Sequence, residues 1–312
     1  MISTVFGLLL RAVFVLGGTA VATFALLWHA PGDPALAIAL ARYATVVPPE
    51  IIDEIRTEVG LDQGFWVAFL GWVRPLLAGD FGNSSVTGLP IWPELWAGIR
   101  YTAPLAFAGL LIGLAISLPL AIIATKKPGG WVDRFAVAIA SLGVAIPAFW
   151  LGLLLILLFA VQLGWLPAMG ARTSAHMILP ALTLGLGVSA SLTRIIRSGI
   201  LEARENAFLP AFRRRGVSER AIGRHHIGPH AAVPVITVLG LELAFLLEGV
   251  VVVEVVFGRP GLGSFLVEAI FSRDFPKVQA VVLLTAAVFV LVNLLIDLAY
   301  GLLDPRIGER DA

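Results

Sequence analysis

The reactive side chains of this 312-residue sequence fall into two groups, and neither has the spacing of a catalytic centre. The first is the run FRRRGVSERAIGRHHIGPHAAVP, Phe212 to Pro234, which holds five arginines and three histidines. His225, His226 and His230 carry ligand-type nitrogens, but Arg224 adjoins them and no carboxylate is close in sequence. Cations repel cations, so the run does not read as a metal site. The second group is Glu242, Glu248, Glu254 and Asp297, with Asn293, inside runs that are otherwise apolar. An ionised residue at mid-bilayer costs about 2.5–3.5 kcal/mol on insertion scales, so each needs a partner or a wet path. Asn293 and Asp297 are four apart, share a helix face, and read as packing or hydrogen-bonding groups. No GxxxxGK[ST] phosphate loop, HExxH or GxSxG occurs, and there is no cysteine. Disulfides, thiolate metal sites, cysteine nucleophiles and phosphate-loop ATP hydrolysis are thereby excluded.

The elements that must hold these groups are membrane spans. Hydrophobic residues make up 58% of the chain and charged ones 14%, with a mean hydropathy of +0.93. A soluble domain carries about 25% charged residues, so part of the solvent here is lipid. Six segments reach the roughly 20 apolar residues of a spanning helix: 12–29, 101–124, 135–163, 177–198, 231–257 and 280–303. Pro119, Pro147 and Pro180 interrupt three of them, and Pro147, among the small residues of LGVAIPAFWLG, predicts a kink. The run Ala12–Trp28 is longer than a signal core and ends in HAPGDP, so a retained anchor is expected. There is no tandem repeat or low-complexity tract, and no separate soluble domain is expected.

Lysine and arginine set the expected orientation. With the N-terminus in the cytoplasm, the inside segments hold Arg11, Lys126, Lys127, Arg134, eight arginines from Arg194 to Arg224, Arg306 and Arg310. That is 14 of the 22 basic residues, so both termini are expected to face the cytoplasm. In the outer segment from Ala30 to Arg100, PPEIIDEIRTEVGLDQ predicts a charged amphipathic helix begun by prolines. FWVAFLGWVRPLLAGDFGNSS follows as an aromatic stretch suited to the membrane interface. A second outer loop, GRPGLGSFLVEAIFSRDFPKV, is glycine-rich and then amphipathic. The expected division is an anchor with its outer segment (1–100), a core (101–303) carrying the basic loop 197–230, and a tail (304–312).

Charge explains the orientation but not the length or order of the basic loop. Basic stretches also suit nucleic acid, yet eight arginines between two spans read first as the determinant of orientation, and no nucleic-acid partner is expected. Phe208, Phe212, Val217, Ile222 and Ile227 recur every four or five residues. That period predicts short helices with one apolar face, broken at Gly216 and at Gly228–Pro229. A helix–turn–helix on the cytoplasmic face is a docking surface.

The loop resembles the coupling loop of ABC-importer inner-membrane permeases, whose signature is Glu-Ala-Ala, three residues, Gly and a later Leu-Pro. The similarity is to the peptide/nickel branch, the B-type dipeptide, oligopeptide and nickel permeases. FRRRGVSER sets Gly216 at the family's glycine, His226 at its histidine and VPVITVLG at its end. APGDP (30–34), GLDQ (60–63), AGDFGNS (78–84), GWLPAMG (164–170), VVVEVVFGRPGLG (251–263), SRDFPKVQ (272–279) and NLLIDLAYGLLDPRI (293–307) agree along almost the whole chain. GWLPAMG and EAIFSRDFP are most similar to the nickel-type members. The Glu-Ala-Ala triplet falls on Pro210, Ala211 and Phe212, Arg214 replaces a small residue, and His230 stands for an asparagine.

The resemblance implies an all-α membrane protein of the type I ABC importer permease fold. Six transmembrane helices are expected, with an extracytoplasmic segment between helices 1 and 2 and a cytoplasmic coupling helix between helices 4 and 5. It implies ATPase-coupling roles for Ala211, Phe212, Arg213, Arg215, Gly216, Val217, Glu219 and His226. Phe212 and Val217 would fill a groove of an ATPase, and the arginines would meet acidic rims or lipid phosphates. The implied partners are a homologous second permease subunit in a heterodimer, two cytoplasmic ABC ATPase subunits, an extracytoplasmic solute-binding protein and the bilayer of a bacterial inner membrane. No cofactor is expected on this chain, since ATP and Mg belong to the ATPases, and the chain is not itself an enzyme. Peptides or nickel and other metal chelates would cross by alternating access. The alternative is a self-sufficient proton-coupled secondary transporter, which an inverted repeat between the halves would mark; none is found.

Glu248, Asn293 and Pro147 are the expected pathway residues. The family usually reads Leu-Leu-Gly-Gly where this chain has Leu-Leu-Glu-Gly, so Glu248 faces either an aqueous path or a cationic partner. Glu254 precedes the F-x-x-P-G-x-G turn and is expected to anchor that outer loop.

Overall fold

The computed structural model describes residues 2–29, 32–43, 47–58, 60–206 and 208–303, and among these it is helical with a single isolated bridge, Asn83 to Pro90. Long apolar helices cover the expected spans. Leu10–Trp28 of α1 (Ile2–Trp28), α5 (Ile91–Ala124), α8 (Ala175–Arg204) and Phe275–Ile296 of α13 (Phe275–Leu303) are each long and apolar enough to cross a membrane. The 29-residue α11 (Gly228–Val256) adds another; at about 1.5 Å per residue it exceeds the roughly 30 Å of hydrocarbon. The tail 304–312 and the first two residues of APGDP lie outside the described residues.

The segment expected as the span 135–163 is a bent helix pair. α6 (Trp131–Ala145) and α7 (Ala148–Leu155), the latter continued by a π-helical stretch Ile156–Gln162, meet at 103°. The expected kink at Pro147 is therefore a sharp corner. Ile146 and Pro147 are both extended, with ψ of 121° and 139°, because a proline disfavours helical ψ at the residue before it and has no N–H to continue the ladder. Pro119 does not interrupt α5, nor Pro180 α8; both sit inside continuous helices.

Two compact units make up the chain: Met1–Tyr101 with Pro260–Leu291, and Thr102–Arg259 with Val292–Ala312. In the first, α4 (Phe65–Leu77) is the aromatic stretch, and it lies on α1 through rings: Phe24 meets Phe65, Phe69 and Trp72 at 5.4, 5.4 and 5.5 Å. α2 (Pro34–Tyr43) and α3 (Pro49–Glu58) enclose a small core of Ala35, Ile38, Ala39, Val47 and Ile55. Glu50, Asp53 and Glu54 on the other side of α3 face solvent. Asp33–Arg56 at 2.7 Å and Arg42–Glu58 at 2.8 Å tie the two helices. Asp274, buried at the start of α13, accepts hydrogen bonds from Ser84 Oγ and from the Ser85 N–H at 3.0 Å. The AGDFGNS and SRDFPKVQ motifs thus meet around one carboxylate. α12 (Leu262–Phe271) packs on the first turns of α5, where a Cβ at Gly98 would fall 2.9 Å from Leu262.

The second unit is built on α8. Leu184, Val188, Leu192 and Ile196 of α8 pack with Leu246, Val250 and Val253 of α11 and with Leu105 of α5 in one continuous core. Small residues let α5 approach α8 closely: a Cβ at Gly113 would stand 2.6 Å from Val188, and one at Gly185 would stand 2.5 Å from Ile112. Such contacts replace the hydrophobic drive that helices lack within lipid. Glu254 is wholly buried near the end of α11 and accepts a hydrogen bond from Thr102 Oγ1 at 2.6 Å. Beyond it, Arg259 donates from Nη1 to the carbonyl of His176 at 3.2 Å, joining the end of α11 to the start of α8.

Candidate functional site: the basic helix–turn–helix

Between α8 and α11 the chain forms α9 (Leu209–Arg214), a turn at Arg215–Ser218, α10 (Glu219–Ile222) and a π-helical turn Gly223–Ile227. Each piece has a local cause. Pro210 sits in the first turn of α9, where a missing N–H costs nothing. α9 ends on Gly216 at φ +76°. The Gly216 N–H bonds the Arg213 carbonyl at 3.0 Å and the Val217 N–H bonds the Phe212 carbonyl at 3.1 Å. This pair of bonds is a Schellman cap, which needs a left-handed residue at Gly216 and brings the apolar Val217 back over Phe212. Ser218 then starts α10 by accepting a hydrogen bond from the Ala221 N–H at 3.3 Å.

No break occurs at Gly228–Pro229. The Gly228 N–H bonds the Gly223 carbonyl, closing the π turn, and α11 continues directly with Pro229 in its first turn. Pro229 gives up one N–H of that continuous ladder, and its fixed φ suits the helix.

The apolar face of the loop is turned inward. Leu209, Ile222 and Ile227 are buried in the core of the second unit, and Phe212 and Val217 pack partly buried against it. The ring of Phe212 stacks on His226 with centroids 4.0 Å apart, while Phe208 meets Phe212, His226 and His230 edge-on. Phe212, Val217 and His226 therefore have an intramolecular role that the sequence reading did not assign: they hold the two short helices onto the body of the chain. Among the described residues no three His, Asp or Glu side chains come together as a metal-ligand group.

Outside, Phe208 and Pro210 are exposed beside a mostly polar edge. Ala211, Arg213, Arg214, Arg215, Gly216, Ser218, Glu219 and Arg220 are exposed. Arg213 Nε donates to Glu219 Oε1 at 2.7 Å across the turn, and that hydrogen bond holds the Glu219 carboxyl below its usual range. Four arginines and one internally paired glutamate thus form a small cationic edge.

The same end of the unit is stapled by a pair that sequence reasoning missed. Asp133, with only 3% of its side chain exposed, receives both Nε and Nη2 of Arg197, the latter at 2.7 Å, and the Gly129 N–H at 2.7 Å. Arg204 donates to the carbonyl of Thr125. Together they fasten the α5–α6 connection to the last turns of α8, immediately before the helix–turn–helix. The one signal in the sequence was an aspartate among the cations of KKPGGWVDR.

The expected pathway residues separate. Pro147 forms the corner between α6 and α7. Asn293 lies against Gly240 of α11, 3.4 Å from where a Cβ would be, and so serves helix packing. Glu248 is exposed on α11. The side chain of Asp297 lies outside the described residues.

Comparison with known proteins shows the family and the fold. Residues 117–309 match the family described as binding-protein-dependent transport system inner membrane component. The chain is 35% identical over 307 residues to the probable peptide ABC transporter permease protein y4tP of Sinorhizobium fredii (strain NBRC 101917 / NGR234), covering 96% of this chain and 97% of that one. It is 37% identical over 280 residues to the glutathione transport system permease protein GsiC of Escherichia coli (strain K12), covering 90% of each. Among solved structures, an inward-facing MetNI methionine ABC transporter chain superposes with a TM-score of 0.57 at 20% identity, covering 68% of this chain and 96% of that chain. A chain of an amino acid ABC transporter with histidines gives 0.51 at 22% identity, covering 69% and 94%.

Proposed function

Because the chain belongs to the family of binding-protein-dependent transport system inner membrane components, we propose that it conducts short peptides into the cytoplasm and takes its power stroke through the cationic helix–turn–helix. It is a multi-pass, non-catalytic permease subunit of an ABC importer, with ATP hydrolysis on partner subunits. The peptide assignment is supported by the names of its relatives, which carry peptides or the tripeptide glutathione. In the proposed assembly this chain pairs with a homologous second permease, binds two ATPase subunits on its basic side and receives solute from a binding protein on the other. Both termini are then cytoplasmic, in keeping with the excess of lysine and arginine on that side.

One observation carries the coupling role. The loop anchors Leu209, Ile222 and Ile227 in its own chain, rests Phe212 and Val217 partly on it, and leaves a cationic edge outside. A loop needed only for orientation would not require a Schellman cap, a stacked ring pair and a buried ion pair behind it. Built this way, the loop moves as one body with α8 and α11, so displacement by an ATPase reaches the spans. The proton-coupled alternative gives this device no task.

The chain has no cysteine, which makes single-thiol placement direct. In the assembled complex, a thiol-attached photocrosslinker at Arg214→Cys or Arg220→Cys is expected to capture an ATPase subunit. The same probe at Thr87→Cys, exposed in the segment assigned to the outside, is expected to capture none. Failure of both loop positions to reach an ATPase, in a complex that still hydrolyses ATP, would contradict the coupling assignment.

A further inference from the structure

We propose that Glu248 lies on the wall of the translocation path and selects for the cationic end of the solute, the α-ammonium of a peptide in particular; the solute part of this inference rests on the peptide reading above. α11 has two unlike faces. Leu246, Val250 and Val253 are buried, and a Cβ at Gly249 would stand 3.3 Å from Leu184 of α8. On the other side Glu248 is exposed, together with Val252 and Val255 at 36% and 45%. Steps of four and three residues put those three on one helix face.

Three carboxylates lie along α11, and the chain itself accommodates two of them. Glu242 is 6% exposed and faces the Ser191 hydroxyl, and Glu254 is fully buried against Thr102. Glu248 has no ion pair or hydrogen bond among the described residues. It sits about two helical turns, roughly 12 Å, before the end of α11 at Val256. A glutamate has too short a stem to reach the headgroups from that depth, unlike lysine or arginine, and a lipid-facing carboxylate there is costly. Water, a cation or a polar group of the second permease must therefore lie beside it, and a path between the two subunits supplies the first two.

The transport reaction itself supplies a cation. A peptide with a free N-terminus carries an ammonium, and its attraction to a carboxylate is several times stronger in a partly dry passage than in bulk water. The described neighbours on that face are Val252 and Val255, which offer no competing donor. A single carboxylate on an apolar wall draws an ammonium without enclosing it, so release stays fast.

Two measurements on the assembled complex test this. First, the Glu248→Cys thiol is expected to react with a membrane-impermeant, water-soluble maleimide, and preincubation with a hydrophobic maleimide dissolved in the lipid is expected not to block it. Absence of reaction with the water-soluble reagent would overturn the path assignment, whatever the solute. Second, uptake is compared for dipeptides with a free N-terminus and for their N-acetylated counterparts, each delivered by the binding protein at saturation. Glu248→Gln and Glu248→Gly are expected to lower the free-to-acetylated uptake ratio by about tenfold, the effect of one charge at moderate distance in a partly dry site. An unchanged ratio in both variants overturns the selectivity while leaving peptide transport standing. Wild-type complex that takes up neither member of the pair contradicts the peptide reading, and the labelling result then decides the position of Glu248 by itself.

Discussion

Gly216→Pro is expected to abolish ATP-driven uptake while leaving the spans inserted and the subunits assembled. Gly216 holds φ at +76°, and a proline ring fixes φ near −65°, so the cap cannot form at all. Loss of the cap releases Val217 from Phe212 and frees the exposed edge from the body of the second unit. ATP hydrolysis by the partner subunits is then expected to persist without solute movement. Gly216→Ala should be milder, since an alanine pays about 1–2 kcal/mol to stay left-handed, and Gly216→Asn milder still because asparagine tolerates that region. Uptake and hydrolysis measured side by side in proteoliposomes check the series. Equal uptake in the proline and asparagine variants would show that the turn has no part in coupling.

Asp133→Ala is the second large effect expected, this time on stability. Removing one partner of a buried ion pair costs about 3–5 kcal/mol because the other charge is left without compensation. Arg197 retains 24% exposure and can turn towards water or headgroups, so the lower end of that range, about 3 kcal/mol, is expected here. The Gly129 N–H loses its acceptor in the same step. Thermal unfolding of detergent-solubilised complex reads the loss. A cycle with Arg197→Leu isolates the pair: the double variant is expected to be less destabilised than the two single variants added together, by about 0.5–3 kcal/mol. Strict additivity would mean that the two side chains do not act on one another.

The spans and the turn at Gly216 were legible in the sequence for different reasons. Spans announce themselves because hydrocarbon demands about 20 apolar residues in a row. The turn is legible because a Schellman cap asks for glycine at one position between two apolar ones. The same logic recovered α3 from its prolines and its charged face. α2 was missed because PALAIALARY is a short apolar run whose burial depends on Ile55 of α3, well downstream. Pro147 signalled a kink but not its angle of 103°, and the seat of α7 against α8 and α11 is something no local pattern encodes.

The basic loop shows the sharper limit. Periodicity identified Phe212, Val217, Ile222 and Ile227 as one apolar face, but not whose surface covers it. The resemblance implied a partner's groove for Phe212 and Val217, and both are in addition partly buried against their own chain. Asp133 and Arg197 lie too far apart in sequence for any spacing rule to join them. What periodicity could not supply was the long-range pairing, and that pairing is what stiffens the loop.

The central claim is that this chain is a conduit powered from outside itself. The most direct test is solute uptake into proteoliposomes that hold the complete complex, with binding protein outside and ATP inside, compared with an imposed pH gradient and no ATP. Uptake is expected to require ATP and binding protein together, and to be absent under the pH gradient alone. Solute accumulation by this chain under a proton gradient, without ATP or ATPase subunits, would contradict the account.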